Sequence, residues 1–163
     1  MRKFLFLATI SGFIVSLDQL TKLYIHTHYQ VGESTTVLEG FFDITYVRNL
    51  GAAFGFLARS HPQFRDTFFL IMPPVALVII LLILRGVEAN DRIQILALSS
   101  VFGGAVGNYI DRVRLGFVVD FLDFHFKGYR WPAFNVADIA IVCGVGILLL
   151  LMFLQPKPSS AKT

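Results

Sequence analysis

The sequence predicts an α-helical membrane protein with four transmembrane helices, both termini cytoplasmic, a small extracytoplasmic β-sheet, and a re-entrant or extended loop before helix 4. Three observations lead to this fold class. Of the 163 residues, 55% are hydrophobic and 15% are charged, which is more apolar and less charged than ordinary soluble domains. Four apolar segments reach the roughly 17 to 25 residues that a helix needs to cross a bilayer. Stretches between them carry the aromatic and β-branched residues typical of strands.

The four predicted spans cover residues 4–25, 67–84, 93–112 and 135–154. The first follows Arg2 and Lys3, as in a cleaved signal peptide, but no A-x-A-like cleavage site follows its apolar run. Asp18 and Lys22 instead continue the helical pattern, so we expect this helix to be retained. Residues 1–154 are therefore interpreted as a single four-helix transmembrane domain, and residues 155–163 as a disordered cytoplasmic tail.

Basic residues predict the orientation of the spans. If the spans alternate in direction, the short flanks on one side carry Arg2, Lys3, Arg85, Arg92, Lys157 and Lys162. The long loops on the other side also contain lysine and arginine, but density in short flanks is the better criterion for orientation. We therefore expect both termini in the cytoplasm and both long loops outside.

The outer loops contain predicted structure of their own. Residues 31–38 and 41–47 predict a small β-sheet on the membrane surface, within a β subregion at 31–57. Residues 57–66 predict a short surface helix or turn. The segment FVVDFLDFHF at 117–126 is too apolar for a solvated loop and too short to span as a helix. We expect an extended or re-entrant segment packed against the bundle, which would place Asp120 beside the helices.

Two features inside the spans have structural interpretations. Pro73 and Pro74 predict a bend in the second span, which membranes tolerate when neighbours satisfy the freed carbonyls. Cys143 is the single cysteine, which excludes an intramolecular disulfide, and it is predicted to be a small buried apolar side chain. We assign no chemistry to either feature.

Ionisable residues within the spans gather near the predicted outer boundary of the bilayer. Asp18 and Lys22 lie in the last part of the first span. Asp111 and Arg112 end the third span, and Asp138 lies about one turn into the fourth. A charged group at membrane depth is costly and is a functional-site hypothesis by default. Snorkelling or helix capping is the alternative, which we favour for Lys22 taken alone, whereas for the whole set we favour a site.

A pair of aspartates is the main candidate for chemistry. Asp120 and Asp138, if they meet across a water molecule, cannot easily both ionise, and so divide into one acid and one base for hydrolysis. Asn135 lies three residues before Asp138 on the same helix face, where it can cap the helix or donate near the carboxylate. Capping alone would explain Asn135 but not a carboxylate placed one turn deeper.

A second polar group lies on the third span. Asn108 and Arg112 are four residues apart and share a helix face, with Asp111 adjacent. They either form interhelical hydrogen bonds and an internal ion pair, or hold a substrate carbonyl and orient a carboxylate, and the pattern leaves both open. Asp18 and Lys22, also four apart, can neutralise each other, which favours support of the scaffold.

Other chemistries have weaker patterns. His26 and His28 form an H-x-H pair that could ligate zinc, but no HExxH motif or cysteine cluster accompanies it, so we expect no metal. Ser99 and Ser100 lie deep in the third span without a GxSxG or Ser-x-x-Lys pattern. The net charge of +3 is small and the basic residues are scattered, which argues against a nucleic-acid surface.

Two other function classes are alternatives. A small proton- or ion-coupled transporter subunit could relay charge through Asp18, Asp111 and Asp138. Such a path needs polar groups through the whole bilayer, whereas the cytoplasmic halves of the spans are nearly uncharged. A membrane assembly factor could use the face of Gly103 and Gly107, which allow close approach of another helix. Both alternatives predict no role for the aspartates in peptide cleavage.

Taken in order, the motifs resemble those of the lipoprotein signal peptidase family, also called signal peptidase II. The matching segments are Asp18-Gln-Leu-Thr-Lys22, Asn49-Leu-Gly-Ala-Ala-Phe54, Gly103-Gly-Ala-Val-Gly-Asn108 with Asp111-Arg112, Val119-Asp120-Phe121 and Phe134-Asn-Val-Ala-Asp138. Five motifs in the family's order, spread over nearly the whole chain, are specific, whereas any single one would be weak.

The resemblance implies an intramembrane aspartic endopeptidase of the bacterial cytoplasmic (inner) membrane, with its active site toward the extracytoplasmic face. It would remove the signal peptide from diacylglyceryl-modified prolipoproteins, cutting just before the lipidated cysteine, without a cofactor. Its partners would be these substrates and membrane lipid, and we expect a monomer. Asp120 and Asp138 would be the catalytic residues. The residues expected to bind substrate or support the site are Asn49, Asn108, Arg112, Asn135, Asp18, Lys22 and Asp111.

Overall fold

Four long helices dominate the structure, a computed structural model that describes residues 1–51, 57 and 60–154. They are α1 Arg2–His28, α2 Pro62–Gly86, α3 Arg92–Leu115 and α4 Val136–Leu154. Each is long and apolar enough to cross a membrane, which confirms the four predicted spans. The predicted tail, 155–163, lies outside the described residues.

Helix α2 begins at Pro62 rather than at the predicted residue 67. Proline suits the first turn of a helix, because the N–H group that it lacks would have no helical partner there. Residues 62–66 therefore belong to α2 and do not form a separate surface helix. Leu57 lies in a turn, while 58 and 59 lie outside the described residues. The helix continues through Pro73 and Pro74.

Helix α3 is the centre of the bundle and packs against α1, α2 and α4. Glycines make this close approach possible. A side-chain carbon added at Gly103 would lie 2.9 Å from the backbone of α1, and one at Gly107 would lie 2.5 Å from Asp18 Oδ2. One at Gly104 would collide with the backbone carbonyl of Ala137 in α4. The predicted face of Gly103 and Gly107 does approach another helix closely, and Gly104 adds a second such contact.

Gly104→Ala is expected to destabilise the bundle by about 1 to 3 kcal/mol, since the added methyl group must displace the backbone of α4. The matched control is Gly146→Ala in α4, where nothing lies within 4 Å of the added carbon. The control should be neutral or slightly stabilising, because alanine favours a helix more than glycine does. Thermal unfolding in one detergent measures both variants, and equal midpoints would show that the Gly104 contact does not limit packing.

Cys143 is exposed on α4, so the prediction that it is buried is wrong. The adjacent Gly144 faces α3, where an added carbon would lie 2.6 Å from the carbonyl of Ala97. Successive residues turn by about 100° around a helix, which directs Cys143 away from this contact. A thiol is apolar enough to face lipid.

The two long loops build one four-stranded antiparallel sheet, ordered β1 Ser34–Leu38, β2 Phe42–Asn49, β3 Val118–Phe126 and β4 Tyr129–Arg130. The segment predicted to be extended or re-entrant is extended: it is β3, and it pairs with β2. The register places Asp120 opposite Val47 and Val118 opposite Asn49. The sheet is thus shared between both loops, which brings the Asp120 segment beside the Asn49 segment.

The sheet is attached to α1 and to the segment that leads into α4. Ile25 of α1 packs against Tyr46 and Val119 of the sheet in a buried apolar cluster. Phe134 exchanges backbone hydrogen bonds with Leu122 of β3, donating at 3.1 Å and accepting at 2.8 Å. Because α4 begins just after Phe134, this exchange places the start of α4 beside β3.

Candidate active site

Asp120 lies in β3 with only 2% of its surface exposed. Its Oδ2 atom accepts a hydrogen bond from Asn49 Nδ2 at 2.9 Å. Its Oδ1 atom accepts one from Asn135 Nδ2 at 2.7 Å. Both oxygens therefore have amide partners, as the burial of a polar group requires.

Asp138 lies in the first turn of α4 and is half-buried. It caps the helix together with Asn135, whose Oδ1 accepts from the Asp138 N–H at 3.0 Å. In return, Asp138 Oδ2 accepts from the Asn135 N–H at 3.2 Å. The sequence predicts capping for Asn135 alone, whereas both residues take part. The other oxygen, Asp138 Oδ1, accepts from Asn108 Nδ2 at 2.8 Å.

Asn135 links the two carboxylates. Its side-chain amide donates to Asp120, while its backbone N–H and its Oδ1 atom bond Asp138. The same Nδ2 group also donates to Asn108 Oδ1 at 3.2 Å, and Asn108 itself bonds Asp138. The structure therefore brings Asp120 and Asp138, from different elements, into one hydrogen-bonded cluster.

Lys22 is buried with 2% of its surface exposed, so the interpretation that it snorkels is wrong. Its ammonium lies 2.9 Å from Asp18 Oδ2 and 3.0 Å from Asp111 Oδ2. It also donates to Asn108 Oδ1 at 2.8 Å. Lys22 thus neutralises two buried carboxylates. Because it holds the oxygen of Asn108, it also turns the Nδ2 group of that amide toward Asp138.

The two carboxylates beside Lys22 also hold the backbone. Asp18 Oδ1 accepts from the Ala137 N–H at 2.9 Å, and Asp111 Oδ2 accepts from the Val119 N–H at 3.1 Å. Ala137 and Val119 immediately precede the two candidate catalytic aspartates. Each of the bracing carboxylates therefore fixes the chain next to one member of the pair.

Gln19 belongs to this group, although the sequence pattern does not mark it as a site residue. Its Nε2 atom donates to Asp111 Oδ1 at 2.9 Å and to the carbonyl of Gly107 at 3.2 Å. The available signal was a polar side chain directly after Asp18 within an apolar span. That signal does not show which neighbour the amide contacts.

Arg112 has different partners from Asp111. Its guanidinium donates to the carbonyl of Gly51, and Gly51 donates its N–H to Asn49 Oδ1 at 2.9 Å. The internal ion pair expected on the third helix is made by Asp111 with Lys22. Arg112 instead supports the segment that carries Asn49.

Burial, and then the neighbouring charge of Asp138, raise the pKa of the Asp120 carboxyl from 3.8 to about 7. The hydrogen bonds from Asn49 and Asn135 oppose this rise, because they favour the ionised form. A carboxyl with such a pKa exchanges its proton near neutral pH, and two adjacent carboxylates share a proton more readily than they both ionise. The arrangement suits acid/base catalysis of hydrolysis.

The histidines and serines considered for other chemistries have partners elsewhere. His26 Nδ1 lies 2.5 Å from Tyr46 Oη, and His28 stacks on a tyrosine ring of its own helix. Ser99 and Ser100 donate to carbonyls one turn back in α3. In the part of the chain that the structure describes, no three His, Cys, Asp or Glu side chains are arranged to hold a metal ion.

Comparison with known proteins shows which family this chain resembles. The model of the family described as signal peptidase (SPase) II matches residues 10–154. A lipoprotein signal peptidase of Syntrophus aciditrophicus is 46% identical over 156 residues, which cover 96% of each chain. One of Syntrophotalea carbinolica is 49% identical over 148 residues, 91% of each chain. A bacterial membrane enzyme solved by the in meso method at 2.3 Å superposes with a TM-score of 0.84 at 35% identity, covering 96% of this chain and 93% of its own.

Proposed function

Because the chain belongs to the signal peptidase II family, we propose that Asp120 and Asp138 are the catalytic residues of an aspartic endopeptidase. The protein removes signal peptides from prolipoproteins and is a multi-pass protein of the bacterial inner membrane. The family cuts just before a cysteine that carries a diacylglyceryl group. The observation that supports these two residues is the cluster in which Asn135 bonds both carboxylates.

The two carboxyl environments suggest a division of roles. Asp120, deeply buried and with a raised pKa, holds the proton at rest, and the more accessible Asp138 is the base. Asp138 takes a proton from a water molecule whose oxygen attacks the scissile carbonyl carbon, while Asp120 donates its proton to the carbonyl oxygen. Asp120 then takes a proton back from the gem-diol as the C–N bond breaks, and Asp138 gives its proton to the leaving amine.

The other polar residues of the cluster position this pair and do not exchange protons with the substrate. Asn49 and Asn135 hold the carboxyl of Asp120, and Asn108 holds Asp138. The residues that brace the backbone beside the pair or support the Asn49 segment are Asp18, Lys22, Asp111 and Arg112.

The two ends of the bundle differ, and this difference supports a proposed orientation. The cluster lies at the end that carries the sheet, whereas Lys3, near the start of α1, donates to the carbonyls of Arg85 and Val87 at the end of α2. With both termini in the cytoplasm, as the basic flanks predict, the active site faces the extracytoplasmic side. We further propose that residues 1–154 are one transmembrane domain and that the protein is a monomer. Large apolar side chains on the helices are exposed, and membrane lipid would cover them.

The proposed activity is tested with purified protein in lipid bilayer discs and two precursor peptides that differ only in the diacylglyceryl group on cysteine. We expect the lipidated peptide to be cut and mass spectrometry to show a product that begins at the modified cysteine. A cut at another bond, or equal cleavage of the unlipidated peptide, would contradict the proposed specificity. A transporter subunit would cleave neither peptide.

The cleavage rate is expected to fall as the pH rises through about 7, because Asp120 then loses the proton that it donates.

The raised pKa of Asp120 also makes the stability of the fold depend on pH. Below 3.8 the carboxyl is protonated in the folded and unfolded chains alike, whereas between 3.8 and about 7 only the folded chain keeps the proton. The free energy of unfolding therefore decreases as the pH rises across this window. Profiles of kcat/KM and of the unfolding midpoint against pH measure the two effects.

Asn49→Ala should move the alkaline limb of the rate profile to higher pH, because it removes a hydrogen bond that holds down the pKa of Asp120. The matched control is Thr45→Val in the same strand, which removes a hydrogen bond of 3.0 Å to Asp123 instead. The control should leave the limb in place. A limb that moves to lower pH in Asn49→Ala would contradict a proton held on Asp120.

A further inference from the structure

Two carboxylates face each other across the strands β2 and β3. Asp43 of β2 and Asp123 of β3 are directly paired in the antiparallel register. Side chains at such paired positions lie on the same face of a sheet, with their Cβ atoms about 5 Å apart. Asp123 follows Asp120 by three residues, so its side chain points to the opposite face of β3. Asp43 and Asp123 therefore form an acidic pair that is separate from the candidate catalytic pair.

Two oxygen atoms of this pair are buried without a hydrogen-bond donor. Only 8% of Asp43 and 3% of Asp123 is exposed. Asp123 Oδ2 accepts a hydrogen bond from Thr45 at 3.0 Å. Asp43 Oδ1 and Asp123 Oδ1 accept none from the described residues, although both atoms are buried. Such atoms are rare in proteins, and a bound ion or water molecule is a common explanation. The two oxygens therefore indicate a ligand between the strands.

The positive groups beside the pair do not neutralise it. Arg130 lies 3.3 Å from Asp123 Oδ1 and 3.8 Å from Asp43 Oδ2, and its side chain is 62% exposed. His125 Nδ1 lies 3.6 Å from Asp43 Oδ2 and is charged only when the ring is protonated. With a neutral His125, two negative charges face one positive charge in this group of described residues. Like charges directly opposite each other also destabilise the pairing of two strands.

The chemistry of the pair favours a hard divalent cation. Carboxylate oxygens suit Ca²⁺ and Mg²⁺, whereas zinc and copper prefer nitrogen and sulfur ligands. Among the described residues, no third His, Cys, Asp or Glu is placed to act as a ligand, so water must complete the coordination. Ca²⁺ accepts an irregular set of carboxylate and water oxygens, whereas Mg²⁺ demands a nearly ideal octahedron. Calcium is therefore the ion that fits two carboxylates held on neighbouring strands.

We propose that Asp43 and Asp123 bind a calcium ion that joins β2 to β3. The ion displaces the guanidinium of Arg130, whose exposed side chain can move into solvent. It removes the repulsion between the opposed carboxylates and fixes the pairing of two strands that come from different loops. The dissociation constant is about 10⁻⁴ to 10⁻³ M, as in other calcium sites of extracellular domains. The ion stabilises the sheet and exchanges no proton with a substrate, so this proposal does not depend on the peptidase activity.

The thermal unfolding midpoint of the purified protein tests this site. The protein is first treated with EDTA in a neutral detergent, and calcium chloride is then added at constant ionic strength. We expect calcium at about 10 mM to raise the midpoint by about 3 to 6 °C, because the ion binds the folded chain and not the unfolded one. Magnesium at the same concentration should raise it by less. No rise with calcium, or an equal rise with magnesium, would overturn the proposal.

Removing one carboxylate should abolish the response to calcium. Asp43→Asn keeps the shape of the side chain but loses the charge, so its unfolding midpoint should not change when calcium is added. The matched control is Glu39→Gln, which removes an exposed carboxylate from the turn between β1 and β2. The control should respond as the wild type does. A full response in Asp43→Asn, or an equal loss of response in Glu39→Gln, would exclude the site.

Arg130→Gln provides a second test, in which binding becomes tighter and no carboxylate is lost. Because Arg130 competes with the ion, its substitution should lower the dissociation constant for calcium about fivefold to tenfold. The matched control is Lys127→Gln, which removes the same charge from the turn between β3 and β4, where Lys127 forms no ion pair with either carboxylate. The dissociation constants come from the unfolding midpoint at a series of calcium concentrations. An unchanged or higher dissociation constant in Arg130→Gln, or an equal decrease in both variants, would contradict a calcium ion bound by Asp43 and Asp123.

Discussion

Asp120→Asn and Asp138→Asn are each expected to lower the turnover of a lipidated precursor by about 10²- to 10⁴-fold. Asparagine has nearly the shape of aspartate, but it can neither take a proton from water nor donate one to the scissile carbonyl. The fold should survive, because the asparagine oxygen keeps one of the two hydrogen bonds that each carboxylate accepts. For Asp120→Asn, the unfolding midpoint above pH 7 should even rise, since the substitution removes a buried charge.

Asp123→Asn is the matched control for these substitutions. Asp123 is also a buried aspartate of β3, but it accepts a hydrogen bond from Thr45 at 3.0 Å and pairs with Arg130 at 3.3 Å, outside the cluster of Asp120 and Asp138. Its substitution should leave turnover at the wild-type level. The assignment of the dyad is wrong if either catalytic variant cleaves as fast as the wild type, or if Asp123→Asn is equally inactive.

Lys22→Met is expected to cause the largest loss of stability, about 3 to 5 kcal/mol. The ammonium lies within 3.0 Å of both Asp18 and Asp111, and all three groups are almost completely buried. Without it, two carboxylates remain in the interior with no compensating charge. Equilibrium unfolding in a single detergent measures the loss.

Neutralising the partners of Lys22 separates the effect of charge from the effect of packing. The triple variant Lys22→Met, Asp18→Asn, Asp111→Asn has no buried charge in this group, and its amides can still accept from the Ala137 and Val119 N–H groups. It should recover most of the lost stability, because burying unpaired charge is the main cost. A triple variant no more stable than Lys22→Met would assign the loss to the shape of the lysine side chain.

The transmembrane helices could be predicted because their signal is local. A segment that lies in lipid must be apolar over its whole length, so α1 to α4 are visible in composition alone. The candidate aspartates were visible for the related reason that a carboxyl is conspicuous in an apolar segment. The exposure of Cys143 could not be predicted, because an apolar side chain of α4 is tolerated both inside the bundle and against lipid.

The contacts of the site could not be predicted in the same way. The pairing of β3 with β2 joins segments that lie on opposite sides of two transmembrane helices in the chain. Asp18 holds the N–H of Ala137, and Lys22 is buried and does not snorkel. Nothing in the local pattern around these residues indicates which distant group they meet.

By itself, the sequence predicted four helices apolar enough to cross a membrane and two candidate aspartates for hydrolysis. Only the tertiary structure decided that Asn135 bonds both of them and that Asp120 is the more deeply buried. The physical reason is that insertion in lipid depends on the composition of each segment separately. The pKa and the partners of a carboxyl depend on which distant groups the fold packs around it.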